Sequence, residues 1–94
     1  MKAVINIVGK DKVGIVHKST GLLVKYGINI VDINQTIIDG YFNMIMIVDI
    51  SKMSGSFDDL IHDYGKLERE IEVKIKVMHE DIFNAMHIIW GFYV

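Results

Sequence analysis

Residues 7–16, IVGKDKVGIV, decide the fold, because they mark the point where an apolar strand turns into a helix. The apolar alternation ends at Gly9, a polar loop carrying Asp11 follows, and Gly14 lies in the first turn of the expected helix. Such a junction places several backbone N–H groups and the positive end of the helix dipole at one point. It therefore predicts an anion pocket, in which Gly14 gives a carboxylate access to the backbone. A plainer interpretation is that Gly9 permits a turn and Asp11 only caps the helix.

The segments on either side of this junction have clear periodicities. Residues 3–9 alternate with both faces largely apolar, which predicts a central strand. Asp11 as the N-cap and Gly27 as the left-handed residue after the last turn predict a helix that ends near Tyr26. Its inward side chains are expected to be Ile15, Val16, Ser19, Leu22, Leu23 and Tyr26. Gly21 in mid-helix predicts close packing of another helix or backbone.

A β-hairpin follows the first helix. Two runs rich in isoleucine, residues 28–38 and 41–51, flank Asp39-Gly40. Asp-Gly favours a two-residue type I′ turn, because both central residues there have positive φ. Such a turn pairs Ile38 with Tyr41, Thr36 with Asn43, Asn34 with Ile45 and Asp32 with Ile47. The polar residues of the first run indicate a strand at the edge of a sheet, near another subunit.

The second half of the chain adds one helix and one strand. Residues 54–70 predict a helix with an acidic capping box at Ser56 and Asp59. Its buried stripe is expected to be Phe57, Leu60, Ile61, Tyr64 and Leu67. Residues 71–77 alternate apolar and charged side chains, which predicts an edge strand with one solvated face.

The resulting order, β-α-β-β-α-β, predicts an α+β fold. With right-handed crossovers it becomes the ferredoxin-like plait, an antiparallel sheet of order 4-1-3-2 with both helices on one face. Residues 80–94 carry Ile82, Phe83, Met86, Ile89, Trp90 and Tyr93 at helical spacing, and we expect an extra C-terminal helix there. That helix would cover the open sheet face or dock on a second subunit. Residues 1–79 are thus the domain, and residues 80–94 its C-terminal helical extension.

Composition narrows the classes of function. The chain has 94 residues, enough for one domain, and 51% of them are hydrophobic, so we expect a buried partner surface and a homodimer or higher homo-oligomer. A net charge of −2 and a single arginine argue against direct binding of nucleic acid. The absence of cysteine excludes thiol catalysis and thiolate metal sites. The sequence shows neither a signal segment nor a membrane span, which predicts a cytoplasmic protein without membrane contact.

Four histidines are the remaining candidates for chemistry. His17 follows the predicted pocket closely and is a candidate ligand contact, whereas His62, His79 and His87 are scattered over the other elements. We expect no metal, because their spacings do not match a ligand set. No nucleophile has an oriented partner at Ser19 or Thr20, so we expect no catalytic residue, no enzyme and no cofactor.

Taken together, several features resemble an ACT domain. They are the strand that ends in Gly9, the helix start from Asp11 through Gly14, the entry Gly27-Ile28-Asn29-Ile30 to the second strand, and the plait order. The small standalone type, akin to the glycine-cleavage repressor, is the nearest variety, and the resemblance covers residues 3 to about 79. It implies a regulatory module whose copies pair through the first helix and second strand into an eight-stranded sheet. A small molecule, usually an amino acid, would bind at that interface.

The resemblance also implies which residues touch the ligand. They come from the loop of one subunit and the second strand of the other: Lys10, Asp11, Lys12, Val13, Gly14, Asn29 and Asp32. Backbone N–H groups near Gly14 would hold an α-carboxylate, and Asp32 or Asp11 with the Asn29 amide would hold the α-ammonium. Many family members have arginine and proline where this chain has Lys12 and Val13.

We therefore expect a homodimeric amino-acid sensor that modulates a metabolic enzyme or regulator. A second hypothesis is an ACT-like dimer with a vestigial pocket, whose C-terminal segment and sheet face bind another protein. A third is an enzyme of unknown type, since the plait also hosts enzymes.

Overall fold

The structure, a computed structural model, describes residues 1–82 of the chain. Its elements are β1 (Lys2–Lys10), α1 (Ile15–Tyr26), β2 (Asn29–Ile38), β3 (Tyr41–Asp49), α2 (Phe57–Ile71) and β4 (Lys74–His79). The strands form one antiparallel sheet in the order β2-β3-β1-β4. This is the predicted ferredoxin-like α+β plait, with β1 in the middle and both β2 and β4 at edges.

The predicted C-terminal helix falls largely beyond this range. Residues 80–82 have helical backbone, and residues 83–94 lie outside the described part of the chain. The division at residue 79 stays a prediction.

The hairpin has the predicted register. Ile38 pairs with Tyr41, and the pairs of Thr36, Asn34 and Asp32 are also the predicted ones. Both turn residues have positive φ, 53° at Asp39 and 79° at Gly40, as a type I′ turn requires. The register shifts between Ile30 and Asp32, so that Val31 forms a bulge.

The core lies between one face of the sheet and the two helices. Alternate residues of β1 and β3 point toward the helices, and the buried residues on that face are Ala3, Ile5, Ile7, Phe42, Met44, Met46 and Val48. The helices contribute Ile15, Leu23, Tyr26, Leu60, Tyr64 and Leu67. Burying one such large side chain stabilises the fold by roughly 1.5–3 kcal/mol. Tyr64 also joins the helices, since its hydroxyl donates to the Ser19 carbonyl oxygen at 2.7 Å.

Two expectations about the helix stripes are wrong. Val16 and Ile61 are exposed rather than buried, because each lies at the margin of its stripe. The prediction for Gly21 is also wrong, since a Cβ built there meets no atom within 4 Å. Space, not close packing, surrounds this residue.

Helix ends explain the other boundary differences. The predicted capping box is present: the Asp59 N–H donates to Ser56 Oγ at 3.1 Å and starts α2 at Phe57. Glu72, with φ of 54°, ends α2, so β4 begins at Lys74 rather than at residue 71. Gly27 is the predicted left-handed residue after α1, with φ of 65°.

Candidate ligand-binding loop and subunit edge

The loop between β1 and α1 is fixed at two points. The Asp11 N–H donates to the Gly40 carbonyl oxygen at 2.8 Å, which ties the loop to the hairpin turn. The Lys12 ammonium donates to the Ile71 carbonyl oxygen at 2.9 Å and lies 3.9 Å from the Glu72 carboxylate. Val13, at the tip between these anchors and the helix, is fully exposed. The loop therefore has a defined path while its tip faces solvent.

Gly14, not Asp11, is the N-cap of α1. Gly14 has φ of 91°, a conformation that favours glycine, and the first helical bond runs from the Lys18 N–H to its carbonyl oxygen at 2.9 Å. The predicted Asp11 cap is wrong, because the left-handed turn at Gly14 starts the helix three residues later. No side chain among the described residues caps α1, in contrast to the capping box of α2. The first N–H groups of α1 thus remain as donors for an anion.

Gly14 has room for a ligand. A Cβ built at this position meets no atom within 4 Å, so the backbone is bordered by open space. Lys10, Asp11 and Lys12 are exposed around it. The structure therefore brings five of the predicted contact residues, 10–14, together at one helix N-terminus.

Asn29 and Asp32 lie far from this loop within one chain. Lys10 pairs with Tyr41, and Tyr41 with Ile38, so the loop lies at the last residue of β2. Asn29 is the first residue of β2, roughly 30 Å away at about 3.3 Å a residue. A single chain cannot combine the two halves of the predicted site.

Asp32 lies on the same face of the sheet as Asn29, which pairs with Asp49. Asp32 pairs with Ile47, in the row that faces away from the helices, and its carboxylate accepts the Ile33 N–H at 2.9 Å. The N-terminus of α1 lies on the helix side of the sheet. Asp32 is therefore turned away from the side on which the loop lies.

His17 is exposed in the first turn of α1. It lines a cleft of about 500 Å³ between α1 and α2, together with Gly21, Lys66 and Glu70. Its position thus associates it with the helix surface rather than with the loop.

An exposed apolar surface runs along the outer edge of the sheet. On the helix side of β2, Ile30, Ile33 and Ile37 are 40, 44 and 53% exposed, because α1 does not extend over them. Val16, Thr20 and Val24 follow at intervals of four residues on the side of α1 away from α2. We call these six residues the α1–β2 edge. It combines apolar side chains with the unpaired N–H and C=O groups of an edge strand, the combination that favours pairing with another strand.

Sequence reasoning did not find two contacts in and beside the loop, those of Lys12 and Gly9. The charge of Lys12 stabilises the C-terminus of α2, where its partner Ile71 lies 59 residues away in the sequence. A Cβ at Gly9 would lie 2.8 Å from Val73 Cγ1, so Gly9 serves close packing against the strand entry at residue 73. Neither contact leaves a local signal in the sequence.

A hydrogen-bonded cluster joins the two helices beside the cleft. The Lys25 ammonium donates to the Asp63 carboxylate at 2.9 Å, and the Tyr26 hydroxyl donates to the same oxygen. The bond from Lys25 is the main cause that lowers the pKa of Asp63. The bond to Asp63 raises the pKa of Tyr26 to about 12. These shifts belong to a tie between helices and not to the loop at Gly14.

Within residues 1–82, no helix has both the length and the apolar composition needed to cross a membrane. The longest, α2, has 15 residues.

Comparison with known proteins identifies the family. Residues 2–78 match the model of an ACT domain. A UPF0237 protein of Clostridium perfringens is 48% identical over 87 residues, which cover 93% of this chain and 98% of that protein. An ACT domain protein from Streptococcus pneumoniae has a TM-score of 0.75 and 40% identity, over 88% of this chain and 93% of that one.

A more distant structure shares the fold. It is assigned as a glycine cleavage system transcriptional repressor and has a TM-score of 0.66 at 23% identity, over 81% of this chain and 43% of that one. The plait, the glycine-capped helix after β1 and the match across residues 2–78 lead to one conclusion: this chain belongs to the ACT domain family.

Proposed function

We propose that this protein is a non-enzymatic regulatory module that binds a small molecule, most simply an amino acid, as a homodimer. Two copies pair along the α1–β2 edge and extend the sheet across both subunits. Membership of the ACT domain family supports a regulatory role, and the exposed isoleucines of β2 support the pairing. The ligand lies where the loop of one subunit meets the second strand of the other.

This proposal rests on the directions in which the strands run. Because loop 10–14 lies at the Ile38 end of β2, a two-fold axis at the middle of an antiparallel β2 pair places the Asn29 end of one strand beside that loop in the other subunit. The two halves of the predicted site, about 30 Å apart in one chain, become neighbours in the dimer. Each dimer then has two equivalent sites.

The chemistry of each site follows from its two sides. The uncapped first turn of α1, opened by Gly14, would receive the ligand carboxylate. The Asp11 carboxylate and the Asn29 amide oxygen of the second subunit would accept hydrogen bonds from the ligand ammonium group. Asp32 contributes least, because it lies farther than Asn29 from the end of β2 that meets the loop.

A thermal-shift screen against the twenty amino acids tests this function. A ligand at 100 times its dissociation constant should add about 2.7 kcal/mol to the free energy of unfolding. Gly14→Ala is compared with Gly55→Ala, since both place a Cβ at positive φ, 91° and 80°. The Cβ at Gly55 also lies 3.2 Å from Tyr26 Cε1, so Gly55→Ala is the more strained of the two. Only Gly14→Ala should weaken binding. Equal binding by both variants would place the ligand elsewhere.

The second candidate is a dimer with a vestigial pocket that binds another protein. One observation favours it: the Lys12 amine is engaged by the Ile71 carbonyl oxygen and not presented to a ligand. A thermal-shift screen with no response, together with a tight complex in a pull-down, would support this candidate instead.

A further inference from the structure

The sheet face opposite the helices has an apolar row at one end. Met78, Val4 and Ile47 are paired across β4, β1 and β3, so their side chains lie side by side on this face. We call these three residues the apolar row. Farther along the same face, Asn6 donates to Asn43 Oδ1 at 3.2 Å, and Lys74 and Lys76 are exposed. The face is thus apolar at one end and polar at the other.

Val4 is far more buried than an open face allows. It is 2% exposed, although it does not belong to the core cluster beneath α1 and α2. A side chain on an uncovered sheet face retains more accessible area, even in a central strand. The burial of Val4 points to a further packing layer over the apolar row, since Val8 on the same strand and face is 40% exposed.

The chain leaves β4 at this same end of the sheet. His79, the last residue of β4, pairs with Ala3, and the Lys2 N–H donates to the Glu80 carboxylate at 3.4 Å. The segment that follows, residues 83–94 (FNAMHIIWGFYV), is mostly apolar and contains no lysine, arginine, aspartate or glutamate. It follows β4, whose last residues lie beside the apolar row, and has the composition to cover it.

We propose that residues 83–94 dock on the apolar row of their own subunit and complete a second, smaller core on the outer face of the sheet. As a helix this segment is about 18 Å long. That exceeds the roughly 10 Å between β4 and β3, the outer strands of the row. The proposal does not depend on a ligand or on pairing along the α1–β2 edge.

Trp90, the single tryptophan, reports directly on this docking. In the full chain it should be protected from acrylamide quenching. Met78→Glu, which places a charge in the apolar row, should raise the quenching constant severalfold while the far-ultraviolet circular dichroism of the sheet persists. Val8→Glu is the matched control, because Val8 lies on the same face at the polar end and is exposed. It should leave Trp90 protected.

Subunit mixing tests whether residues 83–94 dock on the sheet of their own subunit or on the sheet of a second copy. One chain carries Trp90→Phe and Lys76→Cys, with a nitroxide quencher attached to the cysteine. It is mixed with unlabelled chain that retains Trp90. Docking on the same subunit predicts no quenching in the mixture, whereas a labelled Lys76→Cys chain that retains Trp90 should quench itself.

Three results would overturn the proposal: full acrylamide access to Trp90 in the unmodified chain, continued protection in Met78→Glu, or quenching between mixed subunits. If Met78→Glu does not fold, Val4→Thr replaces it. This change adds a hydroxyl group to a buried position and should raise the quenching constant in the same direction.

Discussion

The ammonium group of Lys12 lies 2.9 Å from the carbonyl oxygen of Ile71, a residue 59 positions further along the chain. This bond joins the loop before α1 to the last turn of α2. The carbonyl groups at a helix C-terminus lack partners within the helix, and a cation there is favourable. The loop that carries the candidate site is therefore held in place by the second helix.

Lys12→Met should destabilise the protein, because it leaves the Ile71 carbonyl without its cation. The group is partly exposed, so we expect a loss of about 0.5–1 kcal/mol in the free energy of unfolding. Urea titration measures it. Lys10→Met, in the same exposed loop, is the control and should change stability less. Equal losses in the two variants would contradict the role given to the bond.

Asp63→Asn should change how stability depends on pH at both ends of the scale. The folded pKa of Asp63 is lowered, so its contribution is present above its unfolded pKa and is lost as the pH falls through the folded value. The pKa of Tyr26 is raised to about 12, so its contribution is complete below the ordinary value of 10 and is lost as the pH rises toward 12. The difference in stability between the unmodified chain and Asp63→Asn should be constant at neutral pH and shrink at both extremes.

Asp49→Asn provides the comparison for that experiment. Hydrogen bonds from Ser51 lower the pKa of Asp49, and no tyrosine shift accompanies them. This variant should alter only the acid limb of the stability curve. An alkaline effect as large as that of Asp63→Asn would disprove the assignment to the Tyr26 pair.

Gly9→Ala should destabilise the fold by about 1–3 kcal/mol, because its Cβ would lie 2.8 Å from Val73 Cγ1. Adding Val73→Ala should recover part of that loss, so the double variant should be more stable than the sum of the single changes predicts. Gly21→Ala has no such neighbour within 4 Å and should stabilise α1 by up to about 1 kcal/mol. Denaturant unfolding of the unmodified chain and these four variants measures the effects, and strictly additive effects of Gly9→Ala and Val73→Ala would contradict the contact.

Much of the fold follows from local signals. The Asp39-Gly40 turn sets the register of the hairpin, because a two-residue loop fixes which residues face each other. Ser56 and Asp59 start α2, since both partners of a capping box lie within one turn. These features depend on residues close together in the sequence.

The loop shows where local signals fail. Asp11 has the residue type of an N-cap, but the positive φ of Gly14 moves the start of α1. The partners of Lys12 and Gly9, Ile71 and Val73, are brought near only by tertiary packing. The candidate site also depends on residues far apart in the fold, because its two halves lie at opposite ends of β2.

The central claim is tested most directly by measuring the molar mass and the amino-acid binding of Ile33→Lys in the same experiment. Ile33 lies in the α1–β2 edge and is 44% exposed, and Ile61→Lys on α2 is the control at similar exposure. Light scattering should give twice 10.7 kDa for the unmodified chain and for Ile61→Lys. Ile33→Lys should give a single copy that no longer binds any amino acid bound by the unmodified chain. A monomeric unmodified chain, or full binding by monomeric Ile33→Lys, would contradict a site shared between two subunits.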